Sequence, residues 1–235
     1  MLMRAYLLAA GLGTRLRPLT NTVPKCMVPI RQKPMLAIWL DLLAKHGVTE
    51  VLINTHYLRP TVFEFIKQFN ESHDNIKVTE FFEETLLGSA GTIAENKNFV
   101  AGEENFLICY ADILTNLDIT EMVKLHKSHT GHLTMALFHA ENPSACGIAT
   151  LDKNKLITDF IEKPQNPTSN LANAGIYVTD QHFFDLIDDT RPQDIGFSVL
   201  PKLAGQMYGY ETDAYVLDVG TMEKYERAQQ EFPMD

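Results

Sequence analysis

The sequence predicts an α/β protein built on a mixed, mostly parallel sheet, and three observations predict it. Over the first half, short apolar runs bounded by turn residues alternate with amphipathic stretches of helical period, the pattern of strand-helix units. Beyond Asp112 the alternation gives way to a cluster of strands, as for a more antiparallel region packed on the same sheet. The first strand also runs directly into a loop carrying two glycines, Gly11 and Gly13.

Taken in order, Tyr6-Leu7-Leu8-Ala9 is the first strand. Leu36, Trp39, Leu40 and Leu43 recur at helical spacing, and Gly47 sits where that helix should stop. Residues 50–54 form a second strand, and Val62, Phe63, Ile66 and Phe69 a second amphipathic helix, with Trp39 and Phe63 expected in the core. Residues 76–81 and 105–110 are the third and fourth strands, the latter ending at Asp112. The strand cluster covers 132–139, 146–151, 155–161 and 172–178. A last strand over 214–217 leads to Asp218 and a closing helix from about Thr221. Without repeats, low-complexity stretches or a linker, residues 1–235 read as one domain with two lobes.

At 235 residues, 45% hydrophobic and 21% charged, the chain can bury a sizeable core. Its net charge of −10 argues against a nucleic-acid binder, whose affinity comes from neutralised phosphates along a basic face. The charge is unevenly spread, however. The first forty residues hold six basic side chains (Arg4, Arg15, Arg17, Lys25, Arg31 and Lys33) and no Asp or Glu, leaving −16 on the remainder. Such asymmetry focuses field on a small anionic ligand. Three scattered cysteines, Cys26, Cys109 and Cys146, lack metal-ligand spacing and suit a reducing compartment. The apolar start over 5–12 runs into Gly-Thr-Arg-Leu-Arg without a cleavage region. No apolar run approaches the roughly 20 residues of a membrane span, so a cytoplasmic protein is expected.

The loop itself, Leu8-Ala-Ala-Gly-Leu-Gly-Thr-Arg-Leu-Arg-Pro-Leu-Thr20 followed by Pro24-Lys25, carries cations and no anions. Glycines let backbone N–H groups approach anionic oxygens, and an arginine fork suits phosphate. Two familiar phosphate motifs are excluded. A dinucleotide loop wants glycine at its sixth position, where Leu16 stands, and an acid some twenty residues on, where the chain is basic. A Walker loop needs Gly-Lys-Ser/Thr, and that string is absent. Phosphoryl transfer between anions also calls for a metal, usually Mg2+ held by one or two carboxylates. Asp112 and Asp218, each at a strand end, suit that role, although either alone could be a helix cap.

The long string with Pro24-Lys25-Cys-Met-Val-Pro29 resembles the signature of the sugar-1-phosphate nucleotidyltransferases, and the resemblance runs from Arg4 to about Gln229. It implies a Rossmann-like fold, helices on both sheet faces and a sugar-binding lobe. It divides the chain into a nucleotide-binding part, about 1–112, a sugar-binding part, about 113–217, and a closing strand and helix over 214–231. By that resemblance Leu8, Ala10, Gly11, Gly13 and Thr14 wrap the nucleotide, Arg15 holds the leaving pyrophosphate and Lys25 reaches the reacting phosphates. Asp112 and Asp218 match the family's metal ligands, with Mg2+ as cofactor; relatives often place Asn or a small residue where Ile113 follows the first aspartate. Glu162 and Lys163 of the Glu-Lys-Pro string match the sugar site, with Glu162 accepting from hydroxyls and Lys163 holding the sugar phosphate. Gly147, Asn173 and Gly175 match further sugar contacts; Cys146 stands where glucose-selective relatives often carry an aromatic residue.

Glu83 and Gly88 fall in the family's base-reading loop, with Glu83 where thymidylyl enzymes have Gln. An ionised Glu only accepts hydrogen bonds, which suits the N1–H and N2–H donors of guanine and opposes an O4 or O6 acceptor. Ile53-Asn-Thr-His-Tyr57, Ser144-Ala-Cys-Gly-Ile148 and Ser169-Asn-Leu-Ala-Asn-Ala-Gly175 are similar to short mannose-1-phosphate and manno-heptose-1-phosphate guanylyltransferases. The implied partners are GTP and one of those sugar phosphates, with neither nucleic acid nor membrane; a homodimer stays open. The coverage leaves no room for the appended domains of longer relatives, so a single activity is expected. Three alternatives stand beside this: a thymidylyl- or uridylyltransferase acting on glucose 1-phosphate, a non-catalytic nucleotide-sugar sensor, and a glycosyltransferase, which would normally show an Asp-x-Asp motif. His126, His129 and His132, three apart, read as the polar face at a helix end rather than a zinc site. His56 reads as a satisfied structural histidine.

Overall fold

The computed structural model describes residues 3–233. The first elements are β1 (Met3–Leu8), β2 (Pro29–Ile30), β3 (Lys33–Pro34), α1 (Met35–Lys45), β4 (Val48–Thr55), α2 (Arg59–Ser72) and β5 (Lys77–Phe82). There follow α3 (Ser89–Glu95), β6 (Phe106–Tyr110), β7 (Ile113–Thr115), α4 (Ile119–Lys127), β8 (Leu133–His139), β9 (Gly147–Leu151) and β10 (Ile157–Glu162). The last are β11 (Leu171–Thr179), α5 (Ile195–Ser198), β12 (Met207–Glu211), β13 (Val216–Asp218) and α6 (Met222–Glu231). The fold is mixed α/β, and it divides into two compact units. One comprises Met1–Leu86, Cys109–Leu117 and Tyr215–Asp235; the other comprises Leu87–Ile108 and Asp118–Ala214.

In the first unit β1, β4 and β5 pair in parallel, with Ala5 opposite Val51 and Val51 opposite Val78. Parallel neighbours need crossovers, which is why helical segments separate them in sequence. Ala5, Tyr6 and Leu7 are fully buried, so β1 reads as an unbroken apolar run rather than an alternating one. α1 buries Met35, Leu36, Ile38, Trp39, Leu40 and Leu43, and Gly47 follows it at φ +79°. Each large side chain so buried contributes roughly 1.5–3 kcal/mol. Trp39 also uses its polar edge, donating from Nε1 to the Ile113 carbonyl at 2.7 Å.

α2 corrects one expectation: Phe63 is 47% exposed and lies outside the core. The buried stripe is Val62, Ile66 and Phe69, and Phe63, one residue on from Val62, points about 100° away from it. The Arg59 guanidinium sits 5.2 Å from the Phe63 ring centre instead. The last strand is displaced as well. β13 runs through Asp218 and pairs antiparallel with β7, a three-residue strand that sequence reading missed, placing Asp218 opposite Ile113. α6 then starts after Thr221, whose hydroxyl accepts from the Lys224 N–H. Its far end is held by the turn between β2 and β3: Arg31 Nε donates to the Gln229 carbonyl at 2.8 Å, and Gln229 Nε2 donates to the Pro29 carbonyl at 2.6 Å.

In the second unit β11 pairs antiparallel with β8 and β9, β10 pairs antiparallel with β9, and β12 joins β8 in parallel. The β11 register shifts between Asn173 and Tyr177. α4 is capped by Asp118, which accepts from the Glu121 N–H. Here too an expectation is corrected, because His126 is only 5% exposed. Its Nε2 meets Asn105 Oδ1 and its Nδ1 meets Thr134 Oγ1, both at 2.9 Å. His129 Nε2 reaches the same hydroxyl at 2.8 Å, while His132 Nδ1 meets Asp180 Oδ2 at 2.8 Å. His126 and His129 therefore share the Thr134 hydroxyl, while His132 pairs with Asp180. Burial foremost, then the neighbouring His129, pushes the His126 titration down to about 4. Among the described residues no helix is long and apolar enough to cross a membrane.

Candidate active site

The glycine loop leaves β1 at Leu8 and puts its polar residues outward: Gly11, Thr14 and Arg15 are exposed, while Leu8, Ala10 and Leu16 are buried. Two bonds fix its shape. The Ala9 N–H donates to Asn54 Oδ1 at 2.6 Å, and Thr20 Oγ1 donates to the Gly13 carbonyl at 2.7 Å. Gly13 has φ +63°, and a Cβ there would lie 3.0 Å from Thr20 Cγ2 and 3.1 Å from Lys25 Cβ. Only glycine meets both the left-handed conformation and the lack of space. A Cβ on Gly11 would meet nothing within 4 Å, so that backbone borders open space.

Lys25 begins a short turn after Pro24, and its side chain is only 9% exposed. Its Nζ lies 2.6 Å from Asp112 Oδ2 and 3.7 Å from Asp218 Oδ1. Backbone bonds hold both aspartates: the Val219 N–H donates to the Asp112 carbonyl and the Gly220 N–H to the Asp218 carbonyl, each at 2.9 Å. Arg15 closes the cluster, since a Cβ on Gly220 would stand 3.0 Å from both Arg15 Nη2 and Asp218 Oδ1. The loop with its arginine and lysine, and two carboxylates distant from it in sequence, thus converge within the first unit. Asp218 Oδ1 is buried with no hydrogen-bond partner, and Lys224 Nζ lies 3.5 Å from Oδ2. A buried carboxylate oxygen without a donor is costly unless a cation meets it. Two carboxylates leave most of an octahedral shell to phosphate and water, so this pair fits Mg2+. Among the described residues no group of three or more His, Cys, Asp or Glu forms a metal cluster. Cys26 adds no thiolate, because burial pushes its thiol up to about 12, with the Asp112 charge adding to the effect.

Glu83 is buried in the same unit, where Oε1 accepts from Asn54 Nδ2 at 2.8 Å. Its carbonyl meets His56 Nδ1 at 2.8 Å, and its N–H donates to the Thr55 carbonyl at 2.8 Å. His56 therefore has a structural partner. Asn54 is the residue that sequence reading missed: one amide ties Glu83 to the backbone of the glycine loop. Its signals were an amide at the end of a buried strand and a place in the Ile53-Asn-Thr-His-Tyr57 string, neither of which gave it a role. Ile113, whose carbonyl accepts from Trp39, anchors the chain just after Asp112.

The remaining expected residues lie in the second unit. Glu162 ends β10 opposite Gly147, and a Cβ on Gly147 or Gly196 would lie 2.5 or 2.7 Å from Glu162 Oε2. Two bare backbones thus make room for this carboxylate. Burial raises its titration above the usual carboxylate range, against the Lys163 charge, with Asp194 adding to the rise. Lys163 has φ +50°, and its Nζ lies 3.8 Å from Glu162 Oε1 and 5.7 Å from the Phe197 ring centre. Asn173 is engaged at both ends of its amide, donating to Tyr177 Oη at 2.7 Å and accepting from the Gly175 N–H at 2.8 Å. Gly88 packs against the backbone of Gln193, whose carbonyl a Cβ would approach to 2.5 Å.

A cationic glycine loop thus lies beside a lysine-bridged aspartate pair on an α/β scaffold. The chain belongs to the nucleotidyl transferase family, whose model matches residues 4–233. It is 32% identical over 228 residues to the mannose-1-phosphate guanyltransferase of Schizosaccharomyces pombe, covering 95% of this chain and 62% of that protein. It is equally 32% identical to mannose-1-phosphate guanylyltransferase 1 of Arabidopsis thaliana, covering 95% of this chain and 63% of that one. The chain thus spans a little under two thirds of these relatives' length. The crystal structure of HddC from Yersinia pseudotuberculosis complexed with GMP-PN shares the fold, with a TM-score of 0.81 over 98% of this chain and all of that one, at 24% identity.

Proposed function

We propose that the protein transfers a nucleotidyl group from GTP to a manno-configured sugar 1-phosphate, mannose or manno-heptose 1-phosphate, releasing pyrophosphate. The observation that carries the reading is the convergence of Lys25, Asp112 and Asp218 beside the glycine loop and Arg15. The names of its 32%-identical relatives support the choice of guanine and mannose. Glu83, steadied by Asn54, is the proposed reader of the guanine N–H edge.

In this mechanism the loop's N–H groups and Thr14 bind the triphosphate. A sugar-phosphate oxygen attacks the α-phosphorus in line, a new P–O bond forms, and the bond to the β-phosphate oxygen breaks with its electron pair leaving on pyrophosphate. Arg15 receives that leaving group, and Lys25 stabilises charge on the reacting phosphates. Mg2+, held by Asp112 and Asp218, would supply neutralisation of the phosphate charge and alignment of the displacement. Glu162 accepts from sugar hydroxyls, Lys163 pairs with the sugar phosphate, and Gly147, Asn173 and Gly175 shape the sugar site. The nucleophile is already ionised, so positioning and charge stabilisation carry the rate rather than proton transfer.

The test is pyrophosphate release with Mg2+, crossing GTP, dTTP, UTP, CTP and ATP with mannose, glucose and manno-heptose 1-phosphates. Release confined to GTP and a manno sugar is the expected result. Preference for dTTP or UTP would overturn Glu83 as reader of guanine, and binding of nucleotide without turnover would favour a sensor.

A further inference from the structure

We infer that Lys25 is the resident counter-cation of the Asp112–Asp218 pair, so that a divalent metal and the lysine ammonium compete for the same carboxylates. The inference rests on the proposed function only in taking those aspartates as metal ligands. It adds that Lys25 must let go of them before it can serve phosphate.

Three observations carry it. The Lys25 ammonium lies 2.6 Å from Asp112 Oδ2 and 3.7 Å from Asp218 Oδ1, reaching toward the space a shared cation would take. Its root packs close to the loop, since a Cβ on Gly13 would stand 3.1 Å from Lys25 Cβ, and the swing falls to the atoms beyond. Its hold on the pair is also unequal, since Asp218 Oδ1 is buried and makes no hydrogen bond. Lys25 sits closest to Asp112, while Asp218 is flanked by Lys224, 3.5 Å from its outer oxygen, and by the Arg15 guanidinium beside Gly220, so the lysine is the near cation of Asp112 above all.

A metal held by those carboxylates would bring a second positive charge close to the lysine ammonium, and like charges in a partly buried site repel strongly. Metal entry therefore displaces Lys25, and the displaced ammonium finds its new anion in the triphosphate. The consequence is that metal and nucleotide bind in favour of one another, with Lys25 as the coupling element. Metal alone binds weakly because it must expel a paired lysine into a loop that then holds no anion. In this view the lysine guards the carboxylates and stabilises the empty site, where two neighbouring negative charges would otherwise face each other.

The experiment titrates the full chain with Mn2+ alone, reading free Mn2+ by electron paramagnetic resonance, for wild type, Lys25→Met, Lys25→Gln and Lys25→Arg. The neutral variants should bind one Mn2+ about ten- to a hundredfold more tightly than wild type, while the arginine variant stays near wild type. Lys25→Gln keeps a polar head in case the apolar variant fails to fold. In wild type, the 15N resonance of the Lys25 ammonium should shift on saturation with Mg2+, a readout that needs no substitution. Aspartate-dependent Mn2+ binding that ignores the charge at position 25, or an ammonium signal that Mg2+ leaves unmoved, would overturn the competition alone. Binding unaffected by Asp112→Asn with Asp218→Asn would overturn the metal assignment itself.

Discussion

Lowering the pH should weaken the fold through His126, whose titration stands at about 4 rather than the ordinary 6.5. The folded chain keeps this ring neutral while the unfolded chain protonates it, so between those values the unfolded state binds the extra proton. Stability tied to the neutral ring is fully present above about pH 6.5 and is lost as the pH falls toward about 4. A displacement of that size corresponds to on the order of 3 kcal/mol, a large share of the stability of an ordinary domain. The assay is urea unfolding across that range for wild type and His126→Gln, which can still donate to Asn105 and accept from Thr134. Titrating groups remote from His126 are common to both proteins and cancel in the difference, and carrying both measurements on a His129→Gln background removes the neighbour most strongly coupled to it. Wild type should be the more stable near neutrality, and the gap should narrow by about 2–3 kcal/mol toward the acid end. Curves that stay parallel would refute the claim that His126 is held neutral by burial.

Asp218→Asn, and Asp112→Asn separately, should lower kcat by about a thousandfold or more while leaving the melting transition in place, checked by pyrophosphate release and calorimetry. Gly196→Ala would put a methyl 2.7 Å from Glu162 Oε2 and should raise the KM for sugar phosphate well above any change in the KM for nucleotide; the opposite split would count against Glu162 as a sugar contact. Asn54→Ala leaves the Ala9 N–H and Glu83 Oε1 without their present partner and should cost about 1–3 kcal/mol in urea unfolding and weaken nucleotide binding. Loss of stability with unchanged nucleotide affinity would confine Asn54 to a structural role.

The glycine loop is legible in the sequence because its chemistry is local: Gly11, Gly13, Arg15 and Lys25 fall within one short stretch, and Gly13 states its conformation in its own residue type. α1 is legible for the same reason, with an apolar stripe through Trp39 that stops at Gly47. The partnership of Lys25 with Asp112 spans 87 positions, and nothing near either residue announces it. β7 is invisible for a related reason, being three residues long and existing only because β13 pairs with it. β12 reads Met-Tyr-Gly-Tyr-Glu, and its central glycine argues against a strand until Leu137 is seen, 2.6 Å from where a Cβ would stand. Phe63 and His126 mislead in opposite directions. An apolar side chain sits outside the buried stripe beside an arginine, and a polar one is drawn inside by two partners that only the tertiary fold supplies.

The antiparallel pairing of β7 with β13 also bears on when the centre can form. A chain emerging from the ribosome presents its glycine loop, Lys25 and Asp112 long before residue 218 appears, and contacts of such sequence separation are slow to close. Until then Lys25 has only one of its two carboxylates to pair with. If the proposed function holds, a chain that ends before residue 218 lacks one of the two carboxylates that function needs.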